Sequence, residues 1–586
     1  MKRSLFKLTI AVIALVLLGA LLVSCGKKEE GSEQSSESQE STSETYFEFF
    51  YSDEGYVCTF VLPKDVTSGE REVAVEFKNA LKKKTGRDLL MLKEGDEKID
   101  TSKNLVLIGK NEFEESKAVY STLQPRQAVA KISGNKFVLA FDSVSSGKKM
   151  VESIMAVLSE CDKTDVKISS AWTATLTAKP DSEDLPIYEK SGTKTTDLER
   201  ESKLITSAYN TLEQFNAYCD KISAAGFDKV NTKESNGHKF VTFMGEHDYV
   251  YAYYVKDHGD ASGVGDIKVV TGPQESFAMG DFSDGLDEKY EPNVTIIGMN
   301  KNYNNGQGYV FRLPDGRFII HDGGIHENAD DILDALKAQA PDPNNIVIAA
   351  WFVSHPHGDH QWALEQFLQN QYGLDNVKIE RAIFNYAAAN AYKIKDDDNA
   401  VTVSNMYAKL SELSPSTQVI KAHTGQDFKF GSVNVEILYT IEDYLPGNLD
   451  YLNSSSMVIR VNIAGQKILL LGDTTTRSGP ILESMWGAYL KSDVVQLAHH
   501  GIWPSNASLY TKVQADVLLW PTQAYCARSM LGESYGTVIE KALSYAEDVY
   551  VSNDTITVVQ LPFVIKNNKK GVLAEIQTAL APGETE

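Results

Sequence analysis

The 586-residue chain carries 80 acidic against 57 basic side chains, a formal charge of −23, and 42% hydrophobic residues. That length and apolar content suit about three or four separately cored domains. The acidic balance excludes a surface built to hold nucleic acid or anionic lipid by charge, so a polyanionic partner has to be met locally.

Taken in order, Met1-Lys-Arg-Ser-Leu-Phe-Lys is basic and Leu8 to Val23 is an apolar run too short for a comfortable membrane span. Residues 1–25 therefore have the makeup of an export signal. The end of that run, Leu22-Val23-Ser24-Cys25, resembles the lipobox of bacterial lipoproteins, which implies cleavage before Cys25 and lipidation of its thiol. Residues 26–45 are Ser- and Glu-rich, have almost no apolar content, and form a disordered tether. The expectation is an extracytoplasmic protein anchored to the bacterial cell membrane by lipid, with cell-wall glycan or teichoic acid as partners. Cys58, Cys161, Cys219 and Cys526 are widely spaced and suit isolated thiols, although export would permit a Cys58–Cys161 bridge.

Residues 46–180 alternate between strand and helix patterns. Glu70 to Lys84 has Val73, Val75, Phe77, Ala80 and Leu81 as its apolar positions and Gly86 as its stop; Leu105-Val-Leu-Ile and Lys136-Phe-Val-Leu-Ala-Phe have strand character. The order of these segments resembles the small α/β domain at the N-terminus of several glycoside hydrolases. The resemblance implies an accessory module, a spacer or glycan-proximal piece with no active site of its own.

Glu183 to Thr196 is polar and suits a linker. Residues 195–288 predict a small α+β domain, with a helix over Thr211 to Ala224 followed by strands at Lys239-Phe-Val-Thr-Phe-Met and Tyr249-Val-Tyr-Ala-Tyr-Tyr-Val. His238, His247 and His258 have no carboxylates at ligand spacing and suit surface loops. The tyrosine stripe suits a half-buried sheet more than a sugar platform.

A different regime fills residues 291–566, ahead of a tail at 567–586. Gly308 to Gly324 is a hairpin turning at Pro314-Asp315-Gly316 and ending in His321-Asp322-Gly323-Gly324. Ile346-Val-Ile-Ala-Ala-Trp-Phe-Val-Ser is a buried strand, followed at once by His355-Pro-His357-Gly-Asp359-His360 and a helix. A strand end and a helix start aim these groups at one point, and imidazole nitrogen with carboxylate oxygen suits zinc and its neighbours. Two later strands repeat the device: Lys467-Ile-Leu-Leu-Leu-Gly ends in Asp473, and Asp493-Val-Val-Gln-Leu-Ala ends in His499-His500-Gly501. A carboxylate at a sheet edge can bridge cations, and Gly501 permits the tight turn there.

These motifs resemble those of the metallo-β-lactamase fold hydrolases, in the variant of competence-type DNA-uptake proteins and choline-phosphate esterases. The resemblance implies an α/β (α+β) protein whose αββα sandwich follows two small α/β domains. It implies metal ligation by His355, His357, Asp359, His360, Asp473 and His499, catalytic roles for Asp359 and His500, and structural support from Asp322. One or two Zn2+ ions are implied, with Mn2+ or Fe2+ as alternatives. The family's further histidine before the bridging Asp has no clear counterpart; His423, in Lys421-Ala-His-Thr-Gly, has the setting of a strand-to-turn residue. Trp503, Tyr525 and Arg528 fall in late loops near the expected pocket. The function implied is phosphoester or phosphodiester hydrolysis by hydroxide generated at the cations. The alternatives are hydrolysis of a lactone, thioester or amide, or a non-catalytic glycan-binding surface lipoprotein.

Overall fold

A computed structural model describes residues 45–51, 53–259, 262–298, 306–388, 406–449 and 451–581. The export signal, Cys25 and the tether up to residue 44 lie outside the described residues. Among those described, no helix is long and apolar enough to cross a membrane. The chain divides into two compact units, Met1–Asp181 and Ser182–Glu586.

In the first unit, Met91–Lys93, Cys58–Leu62, Asn104–Ile108 and Lys136–Phe141 pair in parallel, and Gln127–Ser133 and Thr173–Thr177 extend the sheet antiparallel. Helices Ser68–Thr85 and Val144–Ser159 bury Val73, Phe77, Leu81, Met150 and Ile154 in the same core as Phe49, Phe60 and Phe137. Val75, grouped by sequence with the buried face, is instead 41% exposed, because a two-residue step from Val73 turns it to the far side. Helix Ser68–Thr85 starts on a capping box between Thr67 and Glu70 and stops at Gly86 with φ of 72°. Thr67→Ala is expected to cost this unit about 1 kcal/mol, read as a lower urea midpoint at unchanged slope. Cys58, Cys161, Cys219 and Cys526 are buried thiols in no disulfide, so the permitted Cys58–Cys161 bridge is not formed.

The second unit opens on a six-stranded sheet in the order Lys194–Asp197, Lys203–Asn210, Gly265–Pro273, Asp248–Lys256, His238–Met244, Asp228–Ser235. The polar 183–196 stretch is pinned to it: Tyr218 donates to the Pro186 carbonyl at 2.7 Å, and Tyr188 to Asn210 Oδ1 at 2.8 Å. The tyrosine stripe departs from its expected half-burial, since Tyr249, Tyr251, Tyr253 and Tyr254 are all at most 3% exposed. Both faces of the sheet are covered. Val250, Ala252 and Tyr254 pack with Phe215 and Ile222 of helix Leu212–Ala224, while Tyr249, Tyr251 and Tyr253 share a core with Leu438, Trp486 and Leu490 of the following sandwich. His238, expected at the surface, is buried for the same reason: its Nδ1 accepts the Lys256 N–H at 2.9 Å and its ring stands edge-on to Trp486 at 4.6 Å.

The sandwich has four layers. One sheet runs in the order Gln418–Lys421, Arg381–Phe384, Ile346–Phe352, Phe318–Asp322, Gly308–Arg312, Asn293–Ile296, Thr557–Gln560. The other runs Asp427–Phe430, Val433–Tyr439, Val458–Ile463, Gln466–Leu470, Val494–Gln496, Val517–Trp520, Asp548–Val551. Phe311, Phe352, Ile437, Ile459 and Leu470 fill the space between the sheets. Helices Asn328–Gln339 and Gly358–Gln369 cover the first sheet through Ile332, Leu336, Leu364 and Phe367, and helices Ser478–Trp486, Ala507–Val513 and Gly536–Tyr545 cover the second through Leu482, Leu509 and Ile539. This is the expected αββα order. Within each sheet the neighbouring strands Phe318–Asp322 and Ile346–Phe352, and Gln466–Leu470 and Val494–Gln496, are parallel, so their carboxyl ends emerge side by side.

Candidate metal centre

Asp322 ends one of those four strands, and Ser354, Asp473 and His499-His500 follow the ends of the other three. Asp322, fully buried with φ of 55°, is the hub. Its Oδ1 accepts the Ser354 N–H at 2.7 Å, and its Oδ2 accepts Ser354 Oγ at 2.9 Å, Gln307 Nε2 at 2.6 Å and His360 Nδ1 at 2.9 Å. Gly472 has φ of 53°, and a Cβ on it would lie 3.0 Å from that of Ser354 and 3.1 Å from that of Ser456, so the absence of a side chain brings the two sheets together just before Asp473. His499 and His500 are both left-handed, with φ of 51° and 56°. Gly501 follows with φ of 93°, where a Cβ would sit 2.7 Å from Trp520 Nε1; that indole instead donates to the His500 carbonyl at 2.8 Å.

A carbonyl or carboxylate can only accept, which fixes the imidazole tautomers. His360 spends its Nδ1–H on Asp322, and His500 spends its own on the Pro521 carbonyl at 3.0 Å. With the Ser354 hydroxyl committed to Asp322, His355 Nδ1, at 3.0 Å, donates to that oxygen. All three rings thus turn Nε2 inward, where the neutral ring offers a lone pair and the charged ring a proton. His360 Nε2 lies 3.2 Å from His500 Nε2 and 3.1 Å from Asp473 Oδ1. His500 Nε2 is 3.2 Å from Asp359 Oδ2, and His355 Nε2 is 3.7 Å from Asp473 Oδ2 and 2.9 Å from His357 Nδ1. His355, His360 and Asp473 form one group able to hold a cation, and Asp359, His360 and His500 a second that shares His360.

This is an enclosure of acceptors that wants positive charge. Burial opposes ionisation throughout, yet Asp473 and Asp359 raise His360 well above the ordinary imidazole range and raise His500 too. Against the same burial, His360 and His500 draw the Asp359 and Asp473 carboxyls below their usual range. His355, buried and beside His360, is pushed well down. A divalent ion suits the imidazole and carboxylate donor set, and the bonds behind each ring are the outer contacts that orient such ligands.

The two late histidines stand the other way round from expectation. His500, expected to orient substrate, is in the inner group, 1% exposed. His499, expected as a ligand, stays at the mouth with a side chain 20% exposed, its Nε2 3.2 Å from Asn453 Nδ2 and 3.7 Å from Asp473 Oδ2. The reason is the consecutive left-handed turn, which swings the second imidazole inward. His357 immediately precedes helix Gly358–Gln369 and meets the set through His355, and Asp359, in the first turn of that helix, has a side chain 29% exposed. His423 is no member: it is fully buried, its Nδ1 2.8 Å from Glu442 Oε1 and its ring stacked on Tyr251. Trp503 reaches the mouth, 62% exposed and 6.5 Å from the His499 ring, whereas Tyr525 and Arg528 lie on helix Ala524–Leu531. Sequence reasoning missed Ser354, Gln307, Asn453 and Ser456. Asn453 Nδ2 donates to Asp473 Oδ2 at 2.9 Å, and Ser456 Oγ accepts the Asp473 N–H at 3.0 Å. The polar run Asn453-Ser-Ser-Ser against an apolar strand was the available signal for two of them.

Fold and site together define a mixed α/β protein with a buried histidine and carboxylate centre at the carboxyl ends of its sandwich strands. The sequence matches no protein-family model, and no curated protein is similar to it. Among solved structures it is similar to the metallo-β-lactamase fold protein YhfI from Bacillus subtilis, at 14% identity over 46% of this chain and 100% of that one, with a TM-score of 0.30. It is likewise similar to a metallo-β-lactamase from Cronobacter sakazakii, at 15% identity over 45% of this chain and 93% of that one, TM-score 0.24. Zn2+-bound PqqB from Methylobacterium extorquens matches at 10% identity over 46% of this chain and 100% of that one, TM-score 0.28. At such identities no residue role passes from them to this chain.

Proposed function

We propose that the protein is a metal-dependent hydrolase of phosphoester or phosphodiester bonds, carried outside the cytoplasm on a lipid at Cys25 and acting on an envelope polymer such as teichoic acid. The observation that carries the reading is the convergence of two carboxylates with three imidazole Nε2 atoms whose Nδ1 atoms are tied back into the fold. His355, His360, His500, Asp359 and Asp473 would hold the ion or ions. Bound there, divalent zinc would lower the pKa of water and offset charge growing on the substrate oxygens. The chain supplies the rest. The half-open Asp359 carboxylate would take a proton from attacking water, while Asn453 keeps Asp473 Oδ2 engaged and leaves Oδ1 facing His360. His499 stands at the mouth as a further donor to an incoming phosphoryl oxygen, a need that a carbonyl substrate has less of.

The test is metal analysis of the purified protein beside turnover of bis-(p-nitrophenyl) phosphate. Chelation is expected to remove bound metal and abolish turnover, and zinc to restore both. Bound zinc with no esterase activity would count against the phosphoester reading, and no bound metal against the hydrolase itself. Because ligand binding stabilises the folded state, the metal-loaded protein is also expected to melt higher than the stripped one.

A further inference from the structure

We propose that Asn453 is a positioning residue that fixes the imidazole tautomer of His499, keeping that ring off the metal and turning its Nδ1–H toward substrate at the mouth. Asn453 is 7% exposed, in the turn Leu452–Ser455. Both sheets hold this stretch. The hydroxyls of Ser454 and Thr475 pair at 2.9 Å, the Tyr439 hydroxyl donates to the Ser454 carbonyl at 3.0 Å, and the Met457 N–H donates to the Ser354 carbonyl at 2.8 Å. His499 is fixed as firmly at its backbone, left-handed with φ of 51° and its N–H on the Gly472 carbonyl at 3.1 Å.

The amide's orientation follows from Asp473. Asn453 Nδ2 lies 2.9 Å from Asp473 Oδ2 and 3.2 Å from His499 Nε2. Turned over, the amide would set its oxygen against a carboxylate oxygen, two acceptors with no proton between them, so the NH2 group faces Asp473. That nitrogen only donates, so its second hydrogen goes to His499 Nε2, which is the unprotonated nitrogen of the neutral ring. The ring proton is therefore on Nδ1. Among the described residues no other hydrogen bond reaches this ring, and the side chain is 20% exposed, so the Nδ1–H is left to the mouth. The same amide accounts for the division between the paired histidines. His499 Nε2 and His355 Nε2 each lie 3.7 Å from Asp473 Oδ2, a separation one cation could span. With one NH2 group on both Asp473 Oδ2 and His499 Nε2, a cation would have to displace two hydrogen bonds to gain that imidazole. What the Nδ1–H meets, a phosphoryl oxygen, rests on the phosphoester reading; the tautomer does not.

Two-bond 1H–15N correlation spectra of the metal-free, 15N-histidine-labelled full chain read the tautomer, with the His499 signal assigned by its loss in His499→Gln. At a pH where the ring is neutral, the Nδ1–H pattern is expected in the wild type and its loss in Asn453→Leu, which keeps the side chain's shape without its hydrogens. Zinc affinity gives a second readout. His499→Ala is expected to weaken it less than about threefold alone but about tenfold or more in the Asn453→Leu background, where the freed ring joins the metal. With zinc retained, His499→Ala should also raise KM for bis-(p-nitrophenyl) phosphate about tenfold. An Nε2–H pattern in the wild type, a tenfold loss of zinc affinity from His499→Ala alone, an equal effect of His499→Ala in both backgrounds, or an unchanged KM would each overturn the proposal. Absence of zinc or of turnover would fall on the hydrolase reading and leave the spectra to decide this one. If Asn453→Leu fails to fold, the wild-type pattern and the His499→Ala measurements decide it.

Discussion

Replacing Asp473 by alanine is expected to cut hydrolysis of bis-(p-nitrophenyl) phosphate on the order of 10³-fold and to strip most of the bound metal. The carboxylate is 2% exposed, with Oδ1 3.1 Å from His360 Nε2 and 3.5 Å from His500 Nε2, and Oδ2 3.7 Å from His355 Nε2. Removing it leaves inward lone pairs and the Asn453 amide with no common counter-charge, so a cation loses both a ligand and the charge that made the enclosure favourable. Asp473→Asn keeps the shape and one acceptor but not the charge, and should retain fold while losing nearly as much activity. An alanine variant that kept a tenth of wild-type turnover, or kept its zinc, would place the chemistry elsewhere.

Asp322→Ala should show its largest effect in stability, about 4 kcal/mol. The substitution orphans the Ser354 N–H, the Ser354 hydroxyl, Gln307 Nε2 and His360 Nδ1 in a fully buried place, each worth about 1–3 kcal/mol when unmet, with partial relief if water enters. A fall in the denaturant midpoint of the second unit measures it. Turnover should drop about 10–100-fold as His360 loses its orientation. There is also a pH signature. Burial favours the neutral Asp322 carboxyl, but His321, His360 and the Ser354 N–H outweigh it and draw the group from 3.8 down to about 2. A folded-state pKa below the unfolded one stabilises the protein by about 2 kcal/mol above pH about 4, and that contribution disappears as pH falls through about 2. The wild type should therefore carry an acid-unfolding component between those values that the alanine variant lacks.

Much of the centre was visible in the sequence because strand ends announce themselves. Apolar runs closing on His355 to His360, on Asp473 and on His499-His500 mark where the chain leaves a sheet, and the structure brings all three to one edge. Left-handed backbone at two successive histidines was not visible, since no spacing rule distinguishes which of the pair turns inward. Gln307 was hidden because it sits on no periodic element, and it matters only through Asp322. The buried tyrosine stripe misled for a different reason. Alternation reports the two faces of a strand but not whether a second layer covers each, and here a helix covers one and the sandwich the other.

That shared core sets the smallest piece of the chain able to act alone. A fragment beginning near residue 291 would bare Leu438, Tyr439, Trp486 and Leu490 to water, an oily face inviting aggregation. The smallest self-covered portion instead runs from Ser182, with the six-stranded sheet as the outer wall of the sandwich.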